Sequence, residues 1–234
     1  MEFLKGQDLV SHCKSGNLLP VPTVLSIVAR VADALAYAHR QNVVHRDIKP
    51  ANIMYSVETD AVKVTDFGIA RITDSSKTRT GMVLGTPSFM SPEQLAGKKV
   101  DGRSDLYSLG VMLYQMLVGL LPFRGDSMAE LMYKIANEEA VDVLIIRPEL
   151  PKQLSAVIAR ALNKLPQARY QTGEEFAADV RKVLDADGNL TVSAKRHTSV
   201  NLQPSLEKPS VFEATVPRGK VSRTSAQGGT DIEI

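Results

Sequence analysis

Apolar residues recur at three- and four-residue spacing from Val24 through Ile27, Val28, Val31, Leu35 and Ala38, the period of an amphipathic helix. Pro20 and Pro22 punctuate its start, and the pattern ends near Gln41-Asn42. A different rhythm follows. Val43-Val44 and Ile53-Met54-Tyr55 are short apolar runs on either side of a polar loop, and Val62-Lys63-Val64 alternates as a strand does. Two short strands are therefore expected to frame the polar loop like a hairpin. From Thr73 to Gly85 the chain is rich in Ser and Thr and almost free of large apolar residues, which predicts an exposed loop.

The second half reads as helical. Leu106 to Phe123 is the most apolar long stretch, with Asp105 just before it and Ser108, Gly110, Gln115 and Gly119 within it. A membrane span wants about 20 mostly apolar residues, so these interruptions favour a buried core helix. Ser127-Met128-Ala129-Glu130 and Thr172-Gly173-Glu174-Glu175 both have the spacing of a helix-capping box. Leu154, Val157, Ile158, Ala161 and Leu162 form one further apolar stripe, and Phe176, Val180, Val183 and Leu184 another. Near Asp187-Gly188-Asn189 the composition turns to Ser, Thr, Pro, Gly and scattered charge without a period. Such a segment buries too little surface to offset its ordering entropy, so 187–234 is expected to be a disordered linker or tail.

Composition changes this picture little but excludes some functions. Of 234 residues, 44% are hydrophobic and 23% charged, ordinary for a globular protein. The formal net charge of +2 lies in the last forty residues, and the rest is balanced. No basic field points to nucleic acid. Cys13 is the only cysteine, which rules out an intrachain disulfide and agrees with a reducing compartment. Met1-Glu2-Phe3-Leu4-Lys5-Gly6 lacks the basic start and apolar stretch of a signal peptide.

The chemistry concentrates in His45-Arg46-Asp47-Ile48-Lys49-Pro50-Ala51-Asn52. An aspartate such as Asp47 can accept a hydroxyl proton. Asn52 offers a neutral amide oxygen to a hard divalent cation, and Lys49 a point charge for a phosphoryl group. The run resembles the protein-kinase catalytic loop, H-R-D-x-x-x-x-N. Asp66-Phe67-Gly68, placed after a strand, resembles the metal-binding triplet of that family. Gly85-Thr86-Pro87-Ser88-Phe89-Met90-Ser91-Pro92-Glu93 resembles the end of a kinase activation segment, with Ser91 where Ala is usual, a small-for-small change. Asp105-Leu106-Tyr107-Ser108-Leu109-Gly110 resembles the aspartate-led start of the large central helix.

The resemblance implies an α+β protein-kinase-like fold. The part covered, 1–186, corresponds to the mainly helical large lobe with a few short strands. It implies a Ser/Thr protein kinase that uses ATP with Mg²⁺ or Mn²⁺, the short Gly-Thr-Pro-Ser-Phe-Met-Ser-Pro-Glu-Gln segment looking bacterial. Asp47 would be the catalytic base, with Lys49 and Thr86 marking Ser/Thr specificity. Asn52 and Asp66 would hold metal, with Lys49 on the nucleotide, and the backbone at Glu2 and Leu4 would meet the adenine. Arg46 would mark control by phosphorylation of the Ser/Thr-rich loop, at Thr78 or Thr80. His45, Phe67, Gly68, Glu93, Asp105 and Arg169 would be structural, Glu93 pairing with Arg169 and Asp105 holding the catalytic loop.

Within the 234 residues there is no G-x-G-x-x-G loop, no Val-Ala-x-Lys strand and no upstream helix with its glutamate. Little activity is therefore expected from these residues without a small lobe in cis, since such parts clamp ATP. The competing readings are a non-catalytic kinase-like docking module and, more weakly, a small-molecule phosphotransferase. Protein substrates with Ser or Thr are the implied partners, without nucleic acid and without a membrane segment in this chain. The implied location is cytoplasmic, as the kinase itself or the cytoplasmic part of a membrane-anchored one. Tail threonines such as Thr215 are candidate sites for a phosphothreonine-reading partner.

Overall fold

The computed structural model describes residues 6–67 and 87–186. The first predicted helix is α1, Val21–Arg40. Pro20 sits at its N-cap and Pro22 in its first turn, where a missing N–H costs nothing and a fixed φ suits helix entry. Val24, Leu25, Ile27, Val28, Val31, Ala32 and Leu35 are fully enclosed. By length and composition α1 could cross a membrane, yet 56% of that apolar window is buried within the protein. Those side chains belong to the core.

The central helix is α3, Gly102–Val118, which begins one turn earlier than its apolar pattern suggests. Asp101 caps it, its Oδ1 accepting from the Arg103 N–H at 3.0 Å. Gly119 ends it in the left-handed region at φ +76°, a conformation glycine adopts without a Cβ penalty. Residues 104–114 and 116–118 are all buried, so α3 is the hub of the core. It packs against α1 on one side and against α6, Gln153–Ala161, on another.

Helix α7, Gly173–Ala186, lies along α1. Its entry is backbone on backbone: a Cβ on Gly173 would stand 2.2 Å from the Ala32 carbonyl oxygen and 3.0 Å from Ala36 Cβ. Gly173→Ala is expected to destabilise the fold by about 2 kcal/mol, because neither neighbour is a flexible side-chain end. Urea unfolding followed by circular dichroism measures this, and a loss below about 0.5 kcal/mol, the size of an ordinary surface change, would contradict it.

The remaining helices are α2, Pro92–Leu95, α4, Met128–Asn137, and α5, Val143–Ile146. At α4 and α7 the capping spacing works by halves. Ser127 Oγ accepts from the Glu130 N–H at 3.1 Å and Thr172 Oγ1 from the Glu175 N–H at 3.2 Å. The glutamates, however, reach one residue past the cap, to the N–H of Asp126 at 2.8 Å and of Gln171 at 3.2 Å. Lys164 Nζ donates to the Ile135 carbonyl near the end of α4 at 2.8 Å and lies 4.0 Å above the Phe123 ring. Burial there pushes its amine down to about 8.

Strands β1, Gln7–Asp8, β2, Ile53–Ser56, and β3, Ala61–Val64, form an antiparallel sheet in the order β1-β2-β3. Ile53 pairs with Val64 and Tyr55 with Val62. The expected strand at Val43-Val44 does not form. Its N-terminal neighbour Asn42 turns left-handed at φ +59°, and Val43 donates back to the Ala38 carbonyl at 3.0 Å. The loop after it is therefore framed by a strand on one side only. The other support comes from α3.

Candidate active site

Asp105, in the first turn of α3, is 1% exposed, and its carboxylate is directed at main chain. Oδ1 accepts from the Arg46 N–H at 2.7 Å, and Oδ2 from the His45 N–H at 2.8 Å. His39, from the last turn of α1, brings Nε2 to the same Oδ2 at 2.8 Å. The grip has a reason. Arg46 stands at φ +66°, a left-handed conformation unfavourable for a residue with a side chain, and such a state persists only where its surroundings over-determine it. A carboxylate bonding two successive N–H groups does this.

His45 is fully buried and ties the loop to the next strand. The Asp47 N–H can only donate, so His45 Nδ1 accepts it, at 3.3 Å. Nε2 then carries the proton and donates to the Thr65 carbonyl at 2.8 Å. Phe67 packs on this ring with centroids 4.6 Å apart.

The Asp47 carboxylate faces two donors. Lys49 Nζ reaches its Oδ2 at 2.8 Å and Asn52 Nδ2 the same atom at 3.1 Å, while Nδ2 also donates to the Asp47 carbonyl at 2.7 Å. Asn52 thus turns its nitrogen end inward, which leaves its amide oxygen as the end for a ligand. Its main-chain oxygen accepts from Thr65 N at 2.9 Å and from Thr65 Oγ1 at 3.2 Å. Asp66, exposed and left-handed at φ +55°, follows directly. Asp47, Lys49 and Asn52 therefore form one hydrogen-bonded unit, and Thr65, which bonds Asn52, brings its Oγ1 to 3.5 Å from Asp66 Oδ2. Among the described residues no three His, Cys, Asp or Glu side chains gather as a metal cluster.

Helix α2, whose Gln94 bonds the Arg46 carbonyl, also carries one half of a buried ion pair. Arg169, 1% exposed, places Nη1 2.8 Å from Glu93 Oε1 and Nη2 2.9 Å from Oε2. Its other donors reach the carbonyls of Asn163 at 2.6 Å, Lys164 at 2.9 Å and Arg103 at 3.4 Å. The guanidinium also lies 4.8 Å from the Tyr107 ring centre. Burial pushes the Glu93 carboxyl up, but hydrogen bonds from Arg169 and Ser104 outweigh it and hold the group below its ordinary value.

Two roles have no counterpart in the sequence reading. Ser91 is more than a small replacement: fully buried, it caps α2 in a reciprocal box with Gln94. The Ser-x-x-Gln spacing announces this, as the same spacing does at Ser127 and Thr172. His39 carries no such signal, since its partner Asp105 is distant in sequence. Glu2, Leu4, Gly68, Thr78, Thr80 and Thr86 lie outside the described residues.

A helical lobe built around a buried hub, with a polar loop pinned to that hub and a buried Glu–Arg pair below, is the large lobe of a protein kinase. Residues 1–182 match the model of the protein kinase domain, and the chain belongs to that family. It is 44% identical over 185 residues to the serine/threonine-protein kinase PknB of Mycobacterium leprae, 78% of this chain and 30% of that protein. PknB of Mycolicibacterium smegmatis is 36% identical over 238 residues, 99% of this chain and 38% of that protein. The chain thus spans well under half the length of these relatives. Among solved structures, the kinase domain of Mycobacterium tuberculosis PknI superposes with a TM-score of 0.60 at 30% identity, covering 78% of this chain and 64% of that one.

Proposed function

We propose that this chain carries the substrate-facing half of a protein kinase that phosphorylates Ser and Thr hydroxyls in proteins. The observation that supports it most is the Asp47 carboxylate, held by both Lys49 and Asn52. In this reading Asp47 orients the incoming hydroxyl and takes its proton. Lys49 keeps the carboxylate in place and faces the transferred phosphoryl group. The Asn52 amide oxygen and the Asp66 carboxylate are hard oxygen donors, two from the protein, which suits Mg²⁺ or Mn²⁺ completed by phosphate oxygens. When bound, that cation neutralises charge on the phosphates.

The backbone of Glu2 and Leu4 is proposed to meet the adenine, with Thr86 beside the hydroxyl substrate. Arg46 is proposed as the partner of a phosphate on Thr78 or Thr80, through charge-assisted hydrogen bonds. The ATP lid and its lysine would come from a small lobe in cis, and the working location would be the cytoplasm.

The test is transfer from γ-labelled ATP to a Ser/Thr-rich polypeptide by the chain joined to a kinase small lobe. Phosphoserine and phosphothreonine are expected, with label dependent on Mg²⁺ or Mn²⁺. Phosphotyrosine as the main product, or no transfer at all, would overturn the reading. The 234 residues alone are expected to transfer little, because they contain neither a glycine-rich loop nor a Val-Ala-x-Lys strand.

A further inference from the structure

The peptide between Arg46 and Asp47 carries the proposed base, and each of its polar atoms is held by a side chain. Its N–H donates to His45 Nδ1 at 3.3 Å. Its carbonyl accepts from Gln94 Nε2 at 3.0 Å, across 48 residues of sequence. Gln94 lies in α2, the single turn in which the segment ending at Glu93 finishes.

The orientation of that amide is set by chemistry. A carbonyl can only accept, so the nitrogen end of Gln94 must face Arg46. The Ser91 N–H can only donate, and it reaches Gln94 Oε1 at 3.0 Å, with Ser91 Oγ 3.1 Å from the same oxygen. Ser91 Oγ in turn accepts from the Gln94 N–H at 3.4 Å. One side chain therefore does two jobs. Its oxygen closes the cap of α2, and its nitrogen pins the catalytic loop. With Asp105 on the Arg46 N–H, the left-handed residue is clamped at both ends of its backbone.

We propose that Gln94 is a positioning residue that couples the seat of α2 to the orientation of Asp47. A displacement of α2, whose Pro92 and Glu93 close the segment 85–93, would release the Arg46 carbonyl and let the peptide beside Asp47 turn. The base would then be aligned only when the segment end is seated. This inference rests on the kinase reading for its functional meaning, though the mechanical link does not.

The two jobs can be separated, because Gln94→Glu retains one and removes the other. Glutamate still accepts from Ser91, since Ser-x-x-Glu is itself a capping box. It cannot donate to Arg46, and it sets a carboxylate against that carbonyl. Amide hydrogen exchange on the labelled 234-residue chain reads both halves. The Asp47 amide is expected to exchange at least tenfold faster in Gln94→Glu. The Leu95 and Ala96 amides, which bond the Ser91 and Pro92 carbonyls, should stay within twofold. In Gln94→Met, which lacks both ends, both sets should accelerate.

An Asp47 amide unchanged in Gln94→Glu, or α2 amides that accelerate as much as Asp47, would overturn the proposal. Should Gln94→Glu not fold, a Gln94→Met chain in which α2 frays while Asp47 stays protected would do the same. With a small lobe attached, Gln94→Glu is expected to lower kcat about tenfold and leave KM for the polypeptide within twofold, as loss of an interaction made only in the transition state does. A wild type without transfer would count against the kinase reading, and the exchange measurement would still decide the positioning role.

Discussion

Asp47→Asn is expected to lower kcat about a thousandfold in the chain joined to a small lobe, the middle of the range for loss of a general base. The substitution keeps the shape of the side chain. Asn52 Nδ2 also bonds the main-chain oxygen of residue 47, so the loop retains an anchor that does not depend on the carboxylate. What disappears is the proton acceptor and the ion pair with Lys49. That pair is about a third exposed on each side, and such pairs contribute about 0–1 kcal/mol. Unfolding therefore cannot account for the loss. The expected pattern is a collapsed kcat, a KM for ATP within threefold of wild type and a melting temperature within a few degrees. A variant that keeps a tenth of the activity would remove Asp47 from the role of base.

The legibility of this site in the sequence follows from distance along the chain. Asp47, Lys49 and Asn52 fall within six residues, so their chemistry shows as a motif before any fold is known. The role of Asp105 is visible through the family resemblance, which also accounts for a carboxylate beside so apolar a helix. Arg169 and Glu93 are visible only through the family resemblance, because nothing local in either segment announces a pair. Gln94 is legible only in part. Its place in the cap of α2 shows in the Ser-x-x-Gln spacing, but its other partner, the Arg46 carbonyl, is main chain, which has no signature of its own.

The helices were legible wherever an apolar stripe ran for more than two turns, as in α1, α6 and α7. The failure at Val43-Val44 is instructive. Two β-branched residues read as a strand, but Asn42 reverses the chain before any ladder partner is available, and the two-residue β1 pairs with β2 instead. Tertiary context decided against local propensity there. Asp105 then supplies the support that a second strand would have given.

Arg169→Ala is expected to be the most destabilising single change at the site, by about 3–5 kcal/mol, the usual cost of breaking a buried pair from one side. The substitution leaves the Glu93 carboxylate, 8% exposed, without its bidentate partner. It also strips the carbonyls of Asn163 and Lys164 of a donor and opens a cavity beside Tyr107. Ser104 Oγ, 2.5 Å from Glu93 Oε1, compensates only in part. Glu93→Gln costs less, since it keeps the side chain's shape and one acceptor.

The two variants also differ in pH dependence. The Glu93 carboxyl is held below its ordinary 4.5 in the folded chain, so the pair's contribution is fully present above 4.5 and is lost as pH falls through the folded value. Wild type should therefore lose stability steeply on acidification below 4.5, and Glu93→Gln should show a shallower fall over the same range, having no such carboxylate to protonate. Denaturant titrations at a series of pH values from 3 to 7 test this. Parallel acid limbs for the two proteins would mean that the pair does not couple protonation to folding. An Arg169→Ala chain as stable as wild type would mean that the pair is not what holds α2 to the base of the lobe, and the seat on which Gln94 and Asp47 depend would have to lie elsewhere.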